Sequence, residues 1–105
     1  MAAVVLKAGT RLKSAVCDTQ IMVLRVPSVA LEIGCGGHPM LPMQDNAPAG
    51  VVLDAAFAEP SLTGKRYVDD GETMEFLCTK GGAGALSLNG ARLAVKQAKA
   101  LPSSD

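Results

Sequence analysis

GTRLKSAVCDTQIMVLR at residues 9–25 and GKRYVDDGETMEFLCTK at residues 64–80 decide how this chain reads, because a shift of 55 positions lays one on the other without a gap. Gly9 falls on Gly64, Arg11 on Arg66, Leu12 on Tyr67, Gln20 on Glu75, Ile21 on Phe76, Met22 on Leu77 and Arg25 on Lys80. Leu31 still lands on Leu86, and a two-residue deletion then sets Gly37 on Gly90 and Met40 on Leu93. Identities are few. What the two stretches share is an order of parts: Gly-x-Arg, strand, turn, strand, glycine knuckle, apolar residue. A β unit this small cannot bury an apolar face alone, so two of them packed face to face are expected.

The local signals around these stretches are those of strands and turns. Val16 to Val26 is rich in β-branched and apolar residues and stops at Pro27, which predicts a strand. Val29 to Ile33 predicts a second, closed by Gly34-Cys35-Gly36-Gly37, and residues 38–50, with Pro39, Pro42 and Pro48, predict a loop. Val51 to Ala58 fits a short strand or one helical turn. Thr73 to Lys80 predicts a strand, Gly81-Gly82-Ala83-Gly84 a turn, and Ala85 to Leu88 another strand. Asn89-Gly90 is a hairpin signal, since both residues tolerate positive φ. It leads into residues 91–101, read as strand although their Ala, Lys and Gln favour helix. The expectation is an all-β protein: a first knuckle over residues 1–43, a connecting segment over 44–60 and a second knuckle over 61–105, packed as a pseudo-dimer in one domain.

Composition bounds the function. In 105 residues, 10 basic and 10 acidic side chains cancel, which removes the basic field that drives nucleic-acid binding and the polybasic patch that holds anionic membranes. No apolar run approaches the roughly 20 residues of a membrane helix. Met1 to Lys7 has no charged region ahead of its apolar stretch and no cleavage site after it, so no secretion signal is expected. Three cysteines preclude a complete disulfide framework within one chain, and a cytoplasmic location follows as the expectation. With three aromatics (Phe57, Tyr67, Phe76) and no tryptophan, the core has to be built from aliphatic residues and five methionines. At about 25 cal/mol per Å² that gives a thin margin, so a protein partner or a homo-oligomer is expected.

Residues 9–40 resemble the iron-binding unit of desulforedoxin and of the desulfoferrodoxin N-terminal domain, a rubredoxin-like knuckle. In that family Cys-x-x-Cys opens the unit, a β-hairpin follows, and Cys-Cys-Gly-x-x-Met closes it around a tetrahedral S₄ cage. Ser14-Ala15-Val16-Cys17 stands where Cys-x-x-Cys would be, and Cys35-Gly36-Gly37-His38-Pro39-Met40 where the closing motif would be. The resemblance therefore implies that Cys17 and Cys35 keep cage positions while Ser14 and Gly36 have lost theirs. In the second copy Asp69, Glu72, Leu88 and Asn89 hold all four positions.

These residues set the chemical expectations. The leading one is a non-enzymatic small subunit or protein-interaction module on a scaffold that has lost most of its metal ligands, with no cofactor. The alternative is a mononuclear zinc or iron protein using Cys17, Cys35 and His38, since Cys35-x-x-His38 on a glycine-rich turn is usable ligand spacing. A second alternative is a thiol redox switch through Cys17 and Cys35. Cys78, in mid-strand, reads as a small core hydrophobe. Gly81 to Gly84 lacks the Gly-Lys-Ser/Thr ending of a phosphate loop, and Asp69-Asp70-Gly71-Glu72 lacks calcium-loop spacing. Met40 and Met43 either cover one end of the core or form an apolar patch for a partner.

Overall fold

Ile21 and Val23 are wholly buried while their neighbours Met22 and Leu24 are half-buried, so the stretch that contains them pleats with one face in the core. In the computed structural model, which describes residues 4–46 and 50–96, that stretch is a strand within an all-β fold. The first half supplies β1 (Val4–Val5), β2 (Arg11–Lys13), β3 (Gln20–Arg25), β4 (Ala30–Leu31), β5 (Ile33–Cys35), β6 (His38–Pro39) and β7 (Leu41–Pro42). After a 3₁₀ turn at Ala55–Phe57, the second half supplies β8 (Arg66–Val68), β9 (Glu75–Lys80), β10 (Leu86–Leu88), β11 (Ala91–Arg92) and β12 (Ala94–Val95). A six-stranded antiparallel sheet runs β12-β8-β9-β3-β2-β7, a four-stranded one runs β11-β10-β5-β6, and β1 pairs with β4. No helix among the described residues is long and apolar enough to cross a membrane.

The strands of the two halves correspond at fixed offsets. β2 and β3 reappear 55 residues later as β8 and β9, while β5, β6 and β7 reappear 53 residues later as β10, β11 and β12. Exchanging each strand for its counterpart reverses both sheet orders and leaves them otherwise unchanged. The register obeys the same relation. Met22 pairs with Leu77, its own counterpart at 55, and Gly34 pairs with Ser87, its own counterpart at 53. Each sheet is thus joined across its middle by one strand from each half. The core lies between them, built from Leu12, Ile21, Val23, Ile33, Cys35, Met40, Tyr67, Phe76, Cys78 and Leu86.

Several local expectations are corrected. Residues 16–19 are not strand, because the Ser14 side chain takes the N–H groups of Val16 and Cys17 and folds the chain into a turn. The Val29 to Ile33 strand is two short ones, β4 and the start of β5. Residues 38–50 are not all loop: β6 and β7 lie there, and their prolines are accommodated because each is the edge strand of its sheet. Within residues 51–58 the 3₁₀ turn is confined to Ala55–Phe57, capped by Asp54, whose side chain accepts the Ala56 N–H at 2.9 Å. Gly81 to Gly84 bends the chain between β9 and β10, which belong to different sheets, so the segment crosses from one to the other. The Asn89-Gly90 hairpin does form, with φ of 50° and 86°, and joins β10 to β11. Of the strand read over 91–101, β11 and β12 are present with a break at Leu93, and residues 97–101 lie outside the described residues.

Phe76 fills the place where the two central strands meet. Phe76→Ala is expected to cost about 3–5 kcal/mol in urea unfolding followed by far-UV circular dichroism. Val5→Ala, at a side chain 60% exposed, is expected to stay within about 0.5 kcal/mol of the parent.

Candidate functional site: a facing thiol pair

The β2–β3 loop and the end of β5 bring two sulfurs together. Ser14 follows β2, and its buried Oγ accepts the backbone N–H groups of Val16 and Cys17, both at 3.1 Å. A 2.8 Å bond from the Ser14 N–H to the Thr19 carbonyl closes the loop. The loop holds the Cys17 side chain inward, where Sγ lies 3.3 Å from Ser14 Oγ, 3.3 Å from Thr19 Oγ1 and 3.7 Å from Cys35 Sγ. Cys35 is fixed independently as the last residue of β5, paired with Leu86 on one side and His38 on the other. All three thiols of the chain are free.

The second half of the chain closes this cluster from above, and glycine makes that possible. A Cβ on Gly82 would sit 2.6 Å from Thr19 Oγ1, and one on Gly84 would sit 2.8 Å from the Gly36 nitrogen and 3.1 Å from Cys35 Sγ. The Gly81 to Gly84 segment is therefore needed for close backbone approach over the thiols. Gly36, at φ 65°, is pressed between Val16 and Leu53, and the Asp54 N–H donates to its carbonyl at 2.9 Å.

The two thiols differ in character. Burial would raise the pKa of Cys17, but hydrogen bonds from the Ser14 and Thr19 side chains and from the Thr19 and Gly84 backbones outweigh it and bring the thiol down from 9.0 to about 7. In the thiol form the Cys17 S–H donates to Ser14 Oγ. Once Cys17 ionises, the Ser14 hydroxyl proton turns to the sulfur, its lone pairs being directed at backbone N–H groups. Burial pushes Cys35 up to about 11, against hydrogen bonding from Thr19 and with the neighbouring Cys17 charge adding to the rise. The result is one thiol half ionised near neutral pH, in contact with one that stays protonated.

The structure thus joins Cys17 and Cys35 with Ser14, while Gly36 contributes only backbone. His38 is not brought to them: its Nε2 lies 2.7 Å from the Val52 carbonyl, which ties residue 52 to β6. Among the described residues no three His, Cys, Asp or Glu side chains are placed to hold a metal ion, so the arrangement of Cys17, Cys35 and His38 as ligands does not form. Cys78 is wholly buried in the core, and burial raises its pKa. Asp69 closes the equivalent loop of the second half, accepting from Thr73 Oγ1 at 2.7 Å and the Met74 N–H at 2.9 Å. Met40 is a core residue and Met43 is 37% exposed, so the two do not make one patch. Thr19 went unnoticed in the sequence; a threonine just before a strand carries no local signal of its chemistry.

Ser14→Ala is expected to raise the Cys17 pKa and slow its alkylation by iodoacetamide at pH 7 by up to about tenfold, the span of one pKa unit. The rate in the parent should climb through pH 7 and level off above it, read by mass spectrometry of the Cys17 peptide. No family model, no curated protein and no solved structure matches this chain, and the functional reading stands on the geometry of this site.

Proposed function

We propose that this chain is a small, non-enzymatic thiol switch in which Cys17 and Cys35 form a reversible disulfide. The observation that carries the reading is the 3.7 Å separation of two sulfurs of opposite character inside a cluster of hydroxyls. Disulfide formation needs the sulfurs to close to about 2.0 Å, a shift within reach of small side-chain rotations. A low-pKa thiol beside a high-pKa one supplies both a nucleophile at neutral pH and a partner that does not compete for the same oxidant.

The scaffold belongs to the same proposal. The matched strand offsets and the self-complementary register support two knuckle units packed as a pseudo-dimer, of which only the first keeps thiols at the former cage positions. In a reducing cytoplasm the resting form is the dithiol, and oxidation marks a change of conditions. A switch without turnover acts through a reader, which places the protein partner or second copy of the chain in the oxidised or the reduced state alone.

Oxidation of the full chain by diamide is expected to remove two hydrogens and link the Cys17 and Cys35 peptides, leaving Cys78 as a free thiol. The bond closes a separation of 18 residues and is expected to add about 2–4 kcal/mol of stability, lost on reduction with dithiothreitol. Three free thiols after diamide, or a bond that uses Cys78, would contradict the reading. Size-exclusion chromatography of both forms tests the reader: an unchanged monomer in each excludes the second copy.

A further inference from the structure

We propose that the oxidant this switch answers to is a small hydroperoxide, which oxidises Cys17 first and leaves Cys35 to resolve it; the inference rests on the dithiol reading above. Its basis is the pair of hydroxyls against one sulfur, which can donate to it once it is a thiolate. Ser14 Oγ and Thr19 Oγ1 each lie 3.3 Å from Cys17 Sγ, and both side chains are almost completely buried. When a thiolate breaks an O–O bond, negative charge appears on the leaving oxygen, one bond beyond the atom that the sulfur attacks. Hydroxyls already fixed beside the sulfur reach that oxygen without reorganisation and hand it a proton. When a thiolate attacks a disulfide, the charge appears on a sulfur farther away, attached to a carbon chain.

Space favours the same class. The wall beside the pair has no room for one added methyl group: a Cβ on Gly36 would fall 2.6 Å from Val16 Cγ2, and one on Gly84 would fall 3.1 Å from Cys35 Sγ. Crowding of this kind weighs more against a peptide-bearing disulfide than against a small hydroperoxide.

The steps balance. The Cys17 thiolate attacks the hydroperoxide ROOH, giving Cys17 sulfenic acid and an alkoxide. Ser14 or Thr19 hands the alkoxide a proton and regains one from water, the proton that Cys17 released on ionising, and ROH leaves. Cys35 then attacks the sulfenic sulfur; the S–O bond breaks, and the departing hydroxide takes the Cys35 proton and leaves as water. Cys17 is oxidised, the peroxide is reduced, and the product is the Cys17–Cys35 disulfide. With the second sulfur at 3.7 Å, the sulfenic acid is captured before a second peroxide reaches it.

The experiment uses the full chain at pH 7 with hydrogen peroxide, tert-butyl hydroperoxide or oxidised glutathione at equal concentration. The two hydroperoxides are expected to form the disulfide at least roughly tenfold faster than glutathione disulfide does. Cys35→Ser with hydrogen peroxide and dimedone is expected to give a single adduct, on Cys17. At pH 9, where the thiolate is formed in both proteins, Ser14→Ala is expected to react with hydrogen peroxide roughly tenfold more slowly than the parent while its iodoacetamide rate matches the parent's. Equal or faster oxidation by glutathione disulfide, or a dimedone adduct on Cys35 or Cys78, overturns the inference and leaves the dithiol switch standing provided diamide still forms the bond. Failure of diamide itself to form that bond overturns both.

Discussion

The antiparallel pairing of β3 with β9 is the contact on which the rest of this structure depends. This pairing joins the longest strand of each half edge to edge at the middle of the six-stranded sheet. It aligns Val23 with Phe76 and Ile21 with Cys78, all four wholly buried, at the centre of the six-stranded sheet. The second junction, β5 with β10, is bound to the same relation and sets Cys35 opposite Leu86. The segment after β9 crosses to β10 over the β2–β3 loop. That route carries Gly82 and Gly84 across Thr19 and Cys35. The enclosure of the thiols is a consequence of how the halves join.

The same frame explains why the site is one-sided. At the positions where the first half has Ser14, Cys17 and Cys35, the second has Asp69, Glu72 and Leu88. Asp69 does for its loop what Ser14 does for the first, accepting hydrogen bonds that hold the turn. A carboxylate does this without a sulfur nearby, and Leu88 fills the buried place that Cys35 takes in the first half. The scaffold therefore does not require thiols. Their presence in one half, with the hydroxyl of Ser14 shared between loop and sulfur, is the chemical feature that the fold alone does not account for.

Much of this was legible in the residues. The spacings of 55 residues for β2 and β3 and of 53 for β5 to β7 can be read from alternation and glycine placement in the residues. Asn89-Gly90 was legible for the same reason: its backbone demand is local. The strands β6 and β7 were hidden by Pro39 and Pro42, which suppress a strand signal but are tolerated on a sheet edge. The bend at Gly81 to Gly84 was legible, but its close crossing over Thr19 and Cys35 was not, because glycine serves both and looks alike in one dimension. His38 had usable ligand spacing, but spacing does not fix direction, and its ring is turned to Val52. Cys17 and Cys35 could be paired from the family resemblance alone. The difference in their pKa values could not be read that way, since it arises from the burial of Cys35 and from the hydrogen bonds that Ser14, Thr19 and Gly84 give to Cys17.

That difference and the facing sulfurs form the centre of the account, and nuclear magnetic resonance of the full chain, labelled with ¹³C at cysteine, tests them together. In the reduced protein the Cβ resonance of Cys17 should titrate around pH 7 while those of Cys35 and Cys78 stay still. On oxidation the Cβ resonances of Cys17 and Cys35 should both move into the disulfide range, with that of Cys78 unmoved. A Cys17 that titrates near the ordinary thiol value, or an oxidised spectrum in which Cys17 and Cys35 do not move together, would contradict the account.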